Sequence, residues 1–207
     1  MRRSAAGLEL DHVVLAVRDL EAAAERIERE HGLGSYPGGR HSRGGTANRI
    51  VPLGAQYLEL MALVAPEEAA GWGLLVRELV ADGDRPCLWC VRTRAIDAVA
   101  ARLGLEVVPW SRTLPDGSVL SWRLAGSEQA AVEPSLPFFI EWDDLARHPG
   151  RAGAQRGRVG WIEVAGDEAR LRDWLGGASL PVRVVPGAPA VRGFAVSTPH
   201  GDVVFGV

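Results

Sequence analysis

The chain has 207 residues, 47% of them hydrophobic and 24% charged, with a net charge of −3. Such a composition is that of a globular chain able to bury a sizeable core, without the basic footprint of a nucleic-acid binder. All 23 basic residues are arginine, which removes both a Schiff-base lysine and a P-loop lysine.

In chain order, residues 8–17 (LELDHVVLAV) alternate as a strand does. Asp19 caps a helix that Gly32 ends. Strands follow near 34–40, 46–53 and 56–64. A second pass begins with the strand PCLWCVRT (86–93) and the helix AIDAVAARLG. The strands LEVVPW, SVLSWRLAG and PFFIEW (137–142) complete it. A third pass runs from RVGWIEVAG (158–166) through the helix DEARLRDWLG to the strands PVRVVP, VRGFAVSTP and GDVVFGV. The helix-ending glycines, Gly32, Gly104 and Gly176, are evenly spaced. Five residues before each stands an apolar residue: Ile27, Val99 and Leu171. Self-similarity on this scale is too long for most solenoid repeats and fits βαβββ modules.

The expected organisation is a first module over 1–64, a connector over 65–85 and a second module over 86–142. A Gly- and Arg-rich linker over 143–157 and a third, module-like segment over 158–207 follow. The start of the chain has two arginines but no apolar run of signal-peptide length. No window approaches the ~20 apolar residues of a membrane span. Two cysteines are too few for a disulfide framework, so a reducing cytoplasm is expected. They form C-x-x-C at Cys87 and Cys90, in a predicted strand rather than at the helix N-terminus a redox pair needs, and read as buried small residues.

Residues 36–50 (YPGGRHSRGGTANRI) carry four glycines, His41, Asn48 and three arginines between two strands. A connecting turn needs far less. The glycines allow close backbone approach to a ligand. Arg40, Arg43 and Arg49 can hold a carboxylate or phosphate, and Asn48 can donate to a carbonyl. The plain alternative is a hairpin connection with solvated arginines.

His12 lies on the first strand and shares a face, by alternation, with Val14 and Ala16. Glu59 sits among apolar residues in YLELMAL, and Glu141 likewise in PFFIEW. A carboxylate in such company is costly unless paired, protonated or metal-bound. Ordinary ion pairs to arginine are the plain reading. Of seven tryptophans, Trp89, Trp122 and Trp142 fall on second-module strands, where they can wall an apolar ligand or simply pack. His31, at a helix end, and His200, in a tight turn, read as structural.

The tandem modules, the stretch LDHVVLAVRDLEAAAERI and the later PGGRH…GGTANRIVPLGAQYLELMAL resemble the glyoxalase-like domain family of the vicinal oxygen chelate superfamily. LPFFIEW…HP (136–149) also resembles it, and 157–207 does so mainly in element order. The resemblance implies an α+β fold of tandem βαβββ modules whose curled mixed sheets form a cup, plus the third C-terminal module-like segment. It implies a divalent metal ion held in the cup by first- and fourth-strand side chains. Those positions hold His12 and Glu59 in the first module and Glu141 in the second. The remaining one falls near Cys87 or Leu88, where the family's usual His or Gln is missing. His41 and Glu141 are then the candidates to move a proton. Arg40, Asn48, Arg49, Trp89, Trp122 and His148 are the candidates to contact substrate.

The expected function is a metal-dependent lyase or isomerase acting on a small oxygenated metabolite through vicinal oxygens held on the metal. The alternative is a non-catalytic, resistance-type protein that sequesters a small molecule in an aromatic-lined cup. The expected partners are a small molecule, not nucleic acid or membrane. The third module packs within the chain or pairs with its copy in a homodimer.

Overall fold

The computed structural model describes residues 7–41, 43–113, 117–153 and 157–207. Residues 1–6 of the expected first module and 154–156 of the expected linker lie outside them. The first pass yields β1 (Glu9–Ala16), α1 (Leu20–His31), β2 (Tyr36–Arg40), β3 (Thr46–Pro52) and β4 (Tyr57–Leu63). The connecting helix α2 (Trp72–Leu79) leads to β5 (Arg85–Arg92), α3 (Ile96–Leu103), β6 (Val107–Thr113) and β7 (Val119–Ala125). A short helix α4 (Ser127–Val132) precedes β8 (Phe138–Trp142). The third pass gives β9 (Arg158–Ala165), α5 (Glu168–Trp174), β10 (Val182–Val185), β11 (Ala190–Thr198) and β12 (Gly201–Gly206).

Local signals act as expected at the helix ends. The Asp19 side chain accepts from the Ala22 amide, and Gly32 closes α1 in a left-handed conformation with its own amide on the Glu28 carbonyl. Gly104 ends α3 in the same way, and Gly176 follows α5 at φ 60°.

The first two passes join in one curled eight-stranded sheet of order β2-β3-β4-β1-β5-β8-β7-β6. In each, the first strand runs parallel to the last: β1 beside β4, and β5 beside β8. The two halves meet where β1 and β5 pair antiparallel. Arg112 on the edge strand β6 donates to the Gly38 carbonyl of the opposite edge strand β2, so the two edges lie close across the cup.

The third pass keeps the element order and changes the pairing. Its sheet is β10-β9-β11-β12, with β10 parallel to β9 and β11 antiparallel to β9 on the other side. It packs within the chain on the convex face of the large sheet. Ile162, Leu171, Trp174 and Phe194 share one apolar core with Val13, Ile27, Leu60 and Phe139. The Trp174 indole donates to the Pro137 carbonyl at 2.9 Å and stacks on Phe139.

Alternation then sorts the large sheet into two faces. Val13, Leu58, Leu60, Trp89 and Phe139 belong to the core beneath the helices, while Val14, Tyr57, Met61, Leu88, Phe138 and Ile140 belong to the concave side. A register shift in β5, where pairing passes from Leu88 to Pro86, places Cys87 with Cys90 in the concave cluster. Both thiols are buried, and burial pushes both pKa values up.

Among the described residues, no helix is long and apolar enough to cross a membrane.

Candidate functional site

The concave face encloses a cavity of about 100 Å³. Its polar end is built from the first module: His12 on β1, His41 just after β2, Asn48 on β3 and Glu59 on β4. Its opposite wall is built from the second: Trp110 and Arg112 on β6, Trp122 on β7, and Phe138, Ile140 and Trp142 on β8. Trp110 pairs with Trp122 and Trp122 with Trp142 across three adjacent strands, with ring centroids 6.5 and 5.4 Å apart. Trp72 from α2 stacks on Trp110 and closes the row.

Behind His12 lies a buried carboxylate. Asp11 Oδ1 is 2.7 Å from His12 Nδ1, and Asp11 Oδ2 accepts from the Trp142 indole and lies 3.1 Å from His148 Nε2. Burial alone would raise the Asp11 pKa. The hydrogen bonds and charges of His12 and His148 outweigh it and hold the carboxyl well below its usual range. An ionised Asp11 can only accept, so Nδ1 of His12 carries a hydrogen and Nε2 is the ring atom turned toward the cavity. The ring is held flat against Tyr57, with centroids 4.3 Å apart.

His12 Nε2 lies 3.5 Å from Glu59 Oε2. Glu59 is only 5% exposed. Its other oxygen accepts from Asn48 Nδ2 at 2.8 Å and lies 3.6 Å from His41 Nε2. Nδ1 of His41 is 2.7 Å from Thr46 Oγ1. Burial lowers the His41 pKa; Glu59 opposes this, and Arg112 and His12 add to it. The ring is therefore neutral at pH 7. Burial, reinforced by Asp11 and Glu59, keeps the Tyr57 phenol protonated.

The chemistry of these donors bears on a divalent ion. The 3.5 Å between His12 Nε2 and Glu59 Oε2 exceeds a normal hydrogen bond of roughly 2.7–3.2 Å. Two ligands each about 2.0–2.1 Å from one ion span a similar gap. An imidazole fixed from behind by a carboxylate is also the usual state of a metal-binding histidine. The pair fits a hard or borderline divalent ion. A second grouping, Asp11, His12 and Cys90, has donor atoms within 4.8 Å of one another. It fits less well, because both Asp11 oxygens already have partners and burial next to Asp11 and Glu59 disfavours the Cys90 thiolate.

The structure brings His12, Glu59, His41, Asn48 and Trp122 together, with Arg40 at the rim. Arg40 pairs there with Glu68. It separates the other expected residues. Glu141 points away from the cup and pairs with Arg123, which also holds Asp97 on α3. The reason is strand parity: Ile140 and Trp142 face the cavity, so their neighbour Glu141 cannot. The third residue of β8 is Ile140, where β4 has Glu59, and Leu88 faces the concave side of β5. At these positions the second module presents apolar side chains to the cup, and its donor near His12 is Cys90 on β5. Arg49 also turns outward, to Glu21 and Ser35. Trp89 is buried in the opposite core, its indole on the Ser135 carbonyl. His148 lies behind Asp11 and does not line the cavity.

Asp11, Tyr57, Trp110 and Arg112 were not legible as site residues. Parity from His12 points to the concave face on β1 but does not reveal that its neighbour Asp11 reaches back to the His12 ring. The signal for Trp110 was its register with Trp122, which only strand pairing defines.

The family model for the glyoxalase-like domain matches residues 10–176. No curated protein matches the sequence. Among solved structures, a hypothetical protein from Staphylococcus aureus is 18% identical with a TM-score of 0.65, covering 96% of this chain and 84% of that one. It shares the fold. A methylmalonyl-CoA epimerase from Mycobacterium tuberculosis is 20% identical, with a TM-score of 0.42, over 69% of this chain and 91% of its own. One from Streptomyces coelicolor, in complex with 2-nitronate-propionyl-CoA, is 18% identical, with a TM-score of 0.44, over 64% and 94%.

Proposed function

The chain belongs to the glyoxalase-like domain family of the vicinal oxygen chelate superfamily, and from that premise we propose that its cup holds a small oxygenated metabolite against a divalent ion and moves a proton on it, as a lyase or an isomerase. The observation that carries this reading is the orientation of His12. With Nδ1 held by Asp11, Nε2 faces Glu59 across the cavity at 3.5 Å.

His12 Nε2 and Glu59 Oε2 would hold the ion, leaving its other positions to water and substrate. When bound, it supplies a Lewis acid that polarises neighbouring substrate oxygens. The chain's own residues do the rest. Asn48 fixes the Glu59 carboxylate through Oε1. His41, neutral and oriented through Nδ1 by Thr46, has Nε2 3.3 Å from Asn48 Nδ2 and would accept the proton at that nitrogen in place of the Asn48 contact. The tryptophan row excludes water and strengthens every charge interaction at the polar end. Glu141 has no part in this reading.

The test is metal content of purified protein, wild type against Glu59→Gln, after reconstitution with Mn, Zn, Ni or Fe(II). Deuterium exchange into a panel of hydroxyketones and hydroxyacids then reads the proton step. Near-stoichiometric metal lost in the variant, with exchange that needs His41, supports the reading. Absence of metal and of any thermal shift sinks it.

A second reading is sequestration without catalysis. It is favoured by the second module's contribution of Leu124, Phe138, Ile140 and tryptophans to the cavity, without a carboxylate or a histidine. Tight ligand binding without metal or exchange would select it.

A further inference from the structure

We propose that the cavity behind Asp11 is a second binding site, separate from the cup, and that it takes a phosphate group, free or as the head of a small phosphomonoester. The proposal goes beyond the reading of the cup and needs no metal.

Two cavities meet at Trp142, which lines both. The second, of about 460 Å³, is several times larger than the cup. It lies on the far side of the buried Asp11 carboxylate, where His148 forms part of its wall. Its charged lining is Arg92, Arg94 and Arg151 against one carboxylate, Glu9. Glu9 is engaged by Arg92, whose other terminal nitrogen donates to the Ala55 carbonyl. Arg94 and Arg151 are exposed and have no partner among the described residues. His148 does not compete for an anion: Nε2 serves Asp11, and Nδ1 accepts from the Gly150 amide.

Two guanidinium forks thus line one cavity without a carboxylate of their own. Arg94 lies between β5 and α3, and Arg151 in the turn that follows β8. Like charges held on one cavity repel, and a bound anion turns that repulsion into bidentate pairing. The backbone adds to this. Ala95 precedes α3 and lines the cavity, and no side chain caps the helix there. The first-turn carboxylate, Asp97, pairs with Arg123 and does not line the cavity. The uncapped end sets the positive pole of the helix beside the arginines. A phosphate has three acceptor oxygens, one more than a carboxylate, and can serve both forks and the helix end together. Trp142, Leu145 and Ala55 supply an apolar wall, and the volume exceeds what an ion and its water fill. A phosphate carried on an organic body therefore fits better than free phosphate.

The test is isothermal titration of the full chain in EDTA at about 0.15 M salt, with phenyl phosphate, inorganic phosphate and phenol as probes. Wild type is expected to bind phenyl phosphate about tenfold more tightly than inorganic phosphate, and phenol at least about tenfold more weakly than phenyl phosphate. Arg94→Ala and Arg151→Ala should each weaken phenyl phosphate at least about fivefold. Arg29→Ala removes the same charge from α1, where Arg29 pairs with Glu30 and lines neither cavity, and should change affinity by less than about twofold. Equal affinity for the two phosphates keeps the site and assigns it to free phosphate. No phosphate binding by wild type, phenol as tight as phenyl phosphate, unchanged affinity in either cavity variant, or an equal loss in Arg29→Ala overturns the proposal. Chelation removes any metal, so failure of the metal centre leaves this result intact. Metal binding without phosphate binding sinks the second site alone.

Discussion

Asn48 donates from Nδ2 to Glu59 Oε1 at 2.8 Å, and a Cβ on Gly38 would lie 2.0 Å from the other end of the same amide. The glycine-rich segment thus serves the site through a side chain. Gly38 is absent of Cβ so that Asn48 can reach the buried carboxylate.

Replacing either partner should disturb Glu59 first. Asn48→Ala leaves a nearly buried carboxylate short of a donor and should cost roughly 1–3 kcal/mol. Gly38→Ala should displace Asn48 and weaken metal binding in the same direction. Urea midpoints and metal titrations of both variants check this; unchanged values in both would remove Asn48 from the site.

Asp11 orients His12, His148 and the Trp142 indole from a fully buried position. Asp11→Asn should lose about 3 kcal/mol or more, because buried donors are left against an amide. It should also lower metal affinity by roughly 10- to 100-fold by freeing the His12 ring. His12→Gln should remove metal binding with a smaller loss of stability. Isothermal titration and denaturant unfolding separate the two effects.

Glu141→Gln should leave metal and ligand binding unchanged. Its ion pair with Arg123 lies on the outer face, where the arginine side chain is 37% exposed, so the stability change should stay within about 1 kcal/mol. A loss of metal in this variant would return Glu141 to the centre.

Stability of the metal-free protein should fall as pH drops below about 6.5, the ordinary histidine value. Burial depresses the folded His41 pKa, so the unfolded chain takes up that proton first. The contribution is fully present above the unfolded pKa and is lost as pH falls toward the folded one. Urea midpoints between about pH 7.5 and pH 5 should drop more for wild type than for His41→Gln.

The chain's local chemistry determined a good deal by itself. Caps at Asp19, Gly32 and Gly104 set helix ends, because those interactions involve neighbours in sequence. The repeated element order and the family motifs carried the βαβββ halves, and a polar residue on an apolar strand face pointed to His12 and Glu59. Parity was the limit. A strand's side chains alternate, so the choice between Ile140 and Glu141 turns on one residue of register, and pairing of β8 with β5 and β7 made it. The third pass likewise has the expected order but pairs β10 directly with β9, a choice between strands that local sequence does not encode. Arg112 entered the cup, and Arg49 left it, only once the sheet curled and brought β6 across from β2. Those contacts join residues far apart in sequence, so tertiary structure alone decided them.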